Sequence, residues 1–153
     1  MRQLELKVPP VALLLLVGLI MWALADLTPN LPITPAMRLS ALVVALLIGP
    51  AIAISGALAF RRADTTVNPT RPETSSQLVV RGIYKRSRNP MYLGMLVLLI
   101  GWGTYLASPA ALAMVPLFML YLNRFQIGPE ERALRHRFGH DFERYCQRVR
   151  RWI

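Results

Sequence analysis

The chain has 153 residues, 54% of them hydrophobic and 17% charged, with a formal net charge of +10. That length holds one domain or a small bundle of membrane helices, and the apolar content excludes a disordered chain, which lacks the surface to collapse. The distribution also excludes a two-domain soluble enzyme: residues 8–25, 39–60 and 91–122 carry no charged side chain, and about 20 apolar residues span a bilayer.

In a soluble protein such a basic balance would point to nucleic acid. Here the cations fall between the apolar blocks. Residues 1–7 hold Arg2 and Lys7, and the 26–38 connection holds only Arg38. Seven lie in 61–90 and eight in 123–153. This alternation is what the positive-inside rule produces, and basic segments beside membranes serve topology and lipid phosphates, so membrane lipids are expected partners and nucleic acid is not. The sole cysteine, Cys146, cannot form an intramolecular disulfide, and its place in the basic tail points to a reducing side.

The first block, 8–25, reads as a retained span rather than a cleaved leader, because it is longer than a usual leader core. Pro9 and Pro10 suit a first helical turn, whose N–H groups are unpaired anyway, and Trp22 falls at the far interface. Three prolines and an asparagine between Asp26 and Pro35 make a short external loop. The second helix is expected over 37–60, kinked at Gly49-Pro50 where Pro50 removes a backbone hydrogen bond. Residues 61–90 are polar, with Pro69, Pro72 and the Thr74-Ser75-Ser76 run, and form a long internal loop; loops of this length are usually functional or disordered.

The third block is too long for one span, and Ser108-Pro109 divides it into a hairpin, 91–107 and 110–127. Trp102 and Tyr105 then lie near the outer turn and Tyr92 and Tyr121 near the inner ends, as aromatic belts require. The expected fold class is an all-α integral membrane protein forming a single membrane domain, 1–153. It has about four transmembrane helices, the last two a helical hairpin, and both termini are cytoplasmic. A C-terminal amphipathic helix over 129–151 follows on the inner side. Its apolar stripe runs Leu134, Phe138, Phe142, Tyr145, Val149 and Trp152 at helical spacing, and Gly139 marks a bend.

No loop of the kind that cradles phosphates is present, and Gly101-Trp102-Gly103 lies inside an apolar span with no strand before it. His136 and His140 are spaced to chelate a metal on one helix, but no third ligand is evident and no metal is expected. Two internal segments remain. Gly82-Ile83-Tyr84-Lys85-Arg86-Ser87-Arg88-Asn89-Pro90-Met91-Tyr92-Leu93-Gly94 places arginines, an asparagine and two tyrosines where a loop meets a membrane helix; its plain reading is a topological anchor. Gly128-Pro129-Glu130-Glu131 puts acids in a first helical turn, where the macrodipole favours them. Adjacent helical side chains point about 100° apart, so the two carboxylates do not share one ligand.

Together these segments resemble the isoprenylcysteine carboxyl methyltransferase family, related more distantly to membrane phospholipid methyltransferases. The resemblance is carried by Leu78-Val79 through Gly82 and Tyr84, by Arg88-Asn89-Pro90, Tyr92 and Gly94, and, after the hairpin, by Glu130-Glu131, Leu134, Phe138-Gly139, Tyr145 and Val149, Arg151 and Trp152. It covers about residues 76–153. It implies an S-adenosyl-L-methionine-dependent methyltransferase acting on a lipophilic small-molecule or prenylated acceptor that enters from the bilayer, by direct displacement that needs alignment and desolvation more than acid–base groups. By position, the implied cofactor contacts are Ser76, Gln77, Leu78, Val79, Tyr84, Asn89, Pro90, Met91, Tyr92 and Glu130. Glu131 is left to cap the helix or to meet Arg135 at i+4.

Two positions depart from the family's pattern. Residue 89 is Asn where eukaryotic enzymes carry His. Gln126 stands where the family's substrate-carboxylate arginine lies, with Arg124 two residues earlier; both are candidate substrate contacts, although a neutral amide serves a carboxylate less well than a guanidinium. Catalytic residues are otherwise not assigned. The alternatives are a phospholipid or small-thiol methyltransferase, or a non-catalytic lipid-binding membrane scaffold of the same fold.

Overall fold

The computed structural model describes residues 5–63 and 77–153. Among them there is no strand. Five α-helices follow one another: α1 Pro10–Ala23, α2 Pro35–Arg61, α3 Pro90–Leu106, α4 Pro109–Leu122 and α5 Gly128–Arg148. A proline sits in the first turn of each, where the missing N–H costs nothing and φ is already helical. Three helical runs are long and apolar enough to cross a membrane, Pro10–Leu27, Pro35–Arg61 and Pro109–Arg148, and Pro90–Leu106 is a shorter apolar helix. Helix α1 leaves Leu15, Leu16 and Leu19 more than half exposed, a pattern that lipid satisfies and water does not.

α2 runs unbroken from Pro35 to Arg61 with Pro50 inside it. Its seam with α3 is made of small residues. A Cβ built on Gly101 would collide with the Ala45 Cβ, one on Gly94 with the Gly49 carbonyl, and one on Gly49 would lie 2.8 Å from the Gly94 carbonyl. Gly94 and Gly101 are seven residues apart, so they share a helix face and let two backbones approach closely, as membrane helices do at such interfaces.

α3 ends at Ala107 in the left-handed conformation, φ 50°. The Ala107 carbonyl accepts from Leu31 N at 2.7 Å, and Ser108 Oγ accepts from Ala111 N at 3.3 Å. The Leu31–Ala107 bond, with a 3.2 Å contact between the Ser108 and Thr28 hydroxyls, seats the hairpin turn against the α1–α2 connection. The core between α1, α3 and α4 holds Leu13, Val17, Met21, Leu99, Ala111, Phe118 and Leu122, and Trp102 Nε1 donates to the Gly18 carbonyl at 3.0 Å.

α4 passes into α5 through a π-helical turn, Asn123–Ile127. Wider turns of this kind recur at functional sites. Within α5, Gly139 leaves the helical region at φ 48°, ψ −121°, so the helix bends where its glycine stands. His136 and His140 flank that bend and are exposed. Phe142, Tyr145 and Val149 are buried with Leu78, Leu134, Phe138 and Cys146 around them, so much of the apolar stripe of α5 folds onto the chain itself.

Candidate functional site

The loop before α3 is positioned from both sides. Gly82, at φ 61°, opens a 3-10 turn over Gly82–Lys85 in a conformation only glycine adopts freely. The turn buries Tyr84, whose ring meets Phe60 edge-on at 5.3 Å. The Tyr145 hydroxyl donates to the Tyr84 carbonyl at 2.8 Å. Burial pushes the phenols of Tyr84 and Tyr145 well above the usual tyrosine range, so both stay neutral.

Arg88 then clasps the C-terminal segment. Its backbone N–H donates to the Arg150 carbonyl at 3.1 Å, and its Nη1 to the Cys146 and Val149 carbonyls at 3.1 and 2.9 Å. Its Nη2 donates to Glu131 Oε1 at 2.8 Å. Arg151 reaches the same carboxylate, Nε to Oε1 at 3.1 Å and Nη2 to Oε2 at 2.6 Å. Asn89 Nδ2 donates to the Arg151 carbonyl at 2.9 Å, and Trp152 Nε1 to Asn123 Oδ1 at 3.2 Å. Burial alone would push the Glu131 carboxyl up, but hydrogen bonds and charge from Arg151 and Arg88 outweigh it and hold it below its ordinary value. The partner offered by helical spacing, Arg135, instead lies 3.9 Å from Glu143 and over the Phe142 ring. A long-range pair has displaced the i+4 contact.

Glu130 points elsewhere. It accepts the Tyr92 hydroxyl hydrogen on Oε1, and its Oε2 has no hydrogen bond among the described residues. Burial, with the neighbouring Glu131 charge adding to it and the Tyr92 bond opposing it, pushes this carboxyl up to about 8. The two adjacent carboxylates therefore serve different partners, as their angular separation requires.

The other sequence-derived positions divide into three groups. Gln77, Leu78 and Val79 line a cavity of about 710 Å³ with Ser55, Arg62 and Ile83; Ser76 lies outside the described residues. Asn89, Pro90 and Met91 lead into Tyr92, with the Asn89 amide turned to the tail. Arg124 and Gln126 meet the N-terminal segment rather than Glu130: Arg124 pairs with Glu5 at 3.3 Å and is half-exposed, while Gln126 is buried and donates Nε2 to the Val8 carbonyl at 2.6 Å. Gln126 Oε1 and Arg88 Nε are buried without a partner among the described residues. The clasp formed by Arg88, Glu131, Arg151 and Asn123 was not assigned from sequence. Arg88, Glu131 and Arg151 each stand in the motifs that carry the resemblance, but nothing in the sequence pairs them, and Asn123 lies outside those motifs.

The cavity walled by residues 77–83 is lined by neither Tyr92 nor Glu130, and the buried Tyr92 with the half-free Glu130 carboxyl at the first turn of α5 forms a separate polar pair. The phospholipid methyltransferase family pattern matches residues 37–141, from α2 to the bend of α5. The chain belongs to that family. Two probable protein-S-isoprenylcysteine O-methyltransferases of rice, from Oryza sativa subsp. indica and japonica, are each 32% identical over 109 residues, covering 69% of this chain. The chain spans 56% of the length of those relatives. An uncharacterized protein of Haemophilus influenzae is 43% identical over 63 residues, which is 41% of this chain and all of that protein. No solved structure matches the chain. Phospholipid methyltransferase family membership and the rice relatives point to a membrane methyltransferase, and every implied cofactor position falls inside the matched stretch.

Proposed function

We propose that this chain is an S-adenosyl-L-methionine-dependent membrane methyltransferase for a lipophilic acceptor, resembling protein-S-isoprenylcysteine O-methyltransferase in reaction type. The observation that carries the reading is Glu130, a carboxyl with one oxygen on Tyr92 and the other without a partner among the described residues. That arrangement fits a donor with an ammonium group and ribose hydroxyls, because a charge-assisted contact at a dry helix terminus is strong. The donor supplies a methyl group on a positively charged sulfur. The protein's part is binding, orientation and water exclusion. Glu130 balances positive charge, the Tyr92 hydroxyl fixes the carboxyl's direction, and the Arg88–Glu131–Arg151 clasp holds the first turn of α5 against the loop. The apolar walls of α3 and α4 keep the region dry and open to the bilayer.

The membrane arrangement proposed with it has four spans, α1 to α4, with α5 and both termini on the cytoplasmic side. The acceptor is a phospholipid amine, a small thiol, an isoprenoid carboxylate or a prenylated protein. Gln126, neutral and engaged with the Val8 carbonyl, favours the first two over carboxylates. A non-catalytic lipid-binding scaffold is the second reading, favoured by the direct Tyr92–Glu130 contact, which fills part of the space a ligand needs. Incubating membranes that contain the protein with methyl-labelled cofactor and extracting the lipids separates the two. Label in the lipid or thiol fraction, lost in Glu130→Gln, is expected. No transfer above membranes lacking the protein would favour the scaffold.

A further inference from the structure

At the opposite end of the bundle, α1, the α1–α2 connection, α2 and α3 border an open cleft of about 690 Å³, lined by Trp22, Asp26, Asn30, Arg38 and Tyr105 among others. Tyr105 is 13 residues along α3 from Tyr92, about 20 Å at the helical rise, so this cleft is separate from the Glu130 site. Its two charges do not pair with each other. Arg38 donates Nε to the Ile33 carbonyl at 3.2 Å, and its two terminal nitrogens have no partner among the described residues. Asp26 is exposed and has no ion pair or hydrogen bond among the described residues. Trp22 is 61% and Tyr105 39% exposed, and the Tyr105 ring stacks on Trp102 at 5.6 Å, which fixes its plane.

We infer that this cleft binds the headgroup of a zwitterionic phospholipid, with Arg38 on the phosphate and Asp26 on the ammonium. A guanidinium fork matches phosphate geometry with two parallel hydrogen bonds, which an ammonium group does not offer. The ammonium meets Asp26 and the faces of Trp22 and Tyr105, which attract cations and belong at the headgroup level. The acyl chains lie along lipid-facing side chains such as Leu19 and Leu39, which are 60% and 57% exposed. A net-anionic headgroup such as phosphatidylglycerol satisfies Arg38 but offers Asp26 no cation, so the pair selects as well as binds. The inference goes beyond the methyl-transfer reading and does not depend on it.

The test is native mass spectrometry of the full chain released from detergent micelles, with phosphatidylethanolamine and phosphatidylglycerol added in equal amounts. Wild type is expected to retain phosphatidylethanolamine about tenfold more than phosphatidylglycerol, the factor that one charge-assisted contact supplies. Arg38→Gln is expected to lose about tenfold of that binding, and Asp26→Asn to abolish the preference between the two lipids. Asp26 is exposed, so its variant keeps the test available if Arg38→Gln does not fold. Equal retention of both lipids by wild type, or unchanged phosphatidylethanolamine binding in a folded variant, would overturn the proposal. So would free phosphoethanolamine competing mole for mole with the lipid, since the acyl chains would then contribute nothing.

Discussion

Burial pushes Glu130 up to about 8 from an ordinary 4.5, and this has a direction in pH. Between those values the folded chain holds a proton that the unfolded chain has released, so stability falls as pH rises from 4.5 to 8 and is level on either side. Glu130→Gln removes this slope. Thermal denaturation in detergent across that window checks it, and an identical slope in the variant would contradict the burial of Glu130. Glu131 behaves oppositely. Its carboxyl is held below 4.5 by Arg151 and Arg88 against the cost of burial, so its contribution is present above 4.5 and is lost as pH falls through its lower folded value. Its side chain is 14% exposed, as is that of Arg88, and removing one partner leaves a nearly buried cation uncompensated. Glu131→Gln is therefore expected to cost about 3 kcal/mol in stability. The symmetric, small cost that first-turn acids carry through the macrodipole alone does not apply, because the decisive partners come from Arg88 and Arg151. A loss below ~1 kcal/mol in denaturant titrations would show that the clasp is solvated.

At the scale of helices, the α2–α3 seam rests on absent side chains. Gly101→Leu and Gly94→Val place atoms where Ala45 and the Gly49 carbonyl already are; backbone cannot yield as a rotamer does, so both variants are expected to lose at least the ~1–3 kcal/mol typical of overpacking. Gly18 has nothing within 4 Å of a built Cβ, and Gly18→Ala is expected to be neutral or stabilising by up to ~1 kcal/mol. Equal melting temperatures for Gly18→Ala and Gly101→Leu would rule out the close seam. The sequence announced the helices because uncharged blocks of spanning length have few alternatives in lipid, and Ser108-Pro109 announced the hairpin because Ser108 caps the N-terminus of α4 and Pro109 opens its first turn. The seam was not announced: glycines read equally well as breakers, and Gly49-Pro50 suggested a kink. The π-helical turn over Asn123–Ile127 was also hidden, since NRFQI has no composition that distinguishes five-residue from four-residue bonding.

For the whole molecule, the candidate site was legible in part. Tyr92 and Glu130 were both named as contacts, yet their 38-residue separation gave no sign that they meet directly. The tail was read as one amphipathic helix over 129–151, but α5 ends at Arg148 and Val149 is extended. Val149 and Trp152 therefore lie beyond the helix, and these last residues serve as the receptor for Arg88 and Asn89. Such long-range hydrogen bonds to backbone carbonyls leave no side-chain signature. They tie residues 84, 88 and 89 to the C-terminal segment 145–151. The measurement closest to the central claim is calorimetric titration of the full chain in detergent with S-adenosylhomocysteine near pH 7, in two buffers of different ionisation enthalpy. Saturable binding is expected, with heats that differ between buffers because Glu130 releases its proton to meet the ligand's ammonium. Glu130→Gln should bind about tenfold more weakly and lose the buffer dependence. A folded sample that takes up no ligand at millimolar concentration, or that binds it with unchanged affinity in Glu130→Gln, would contradict the account.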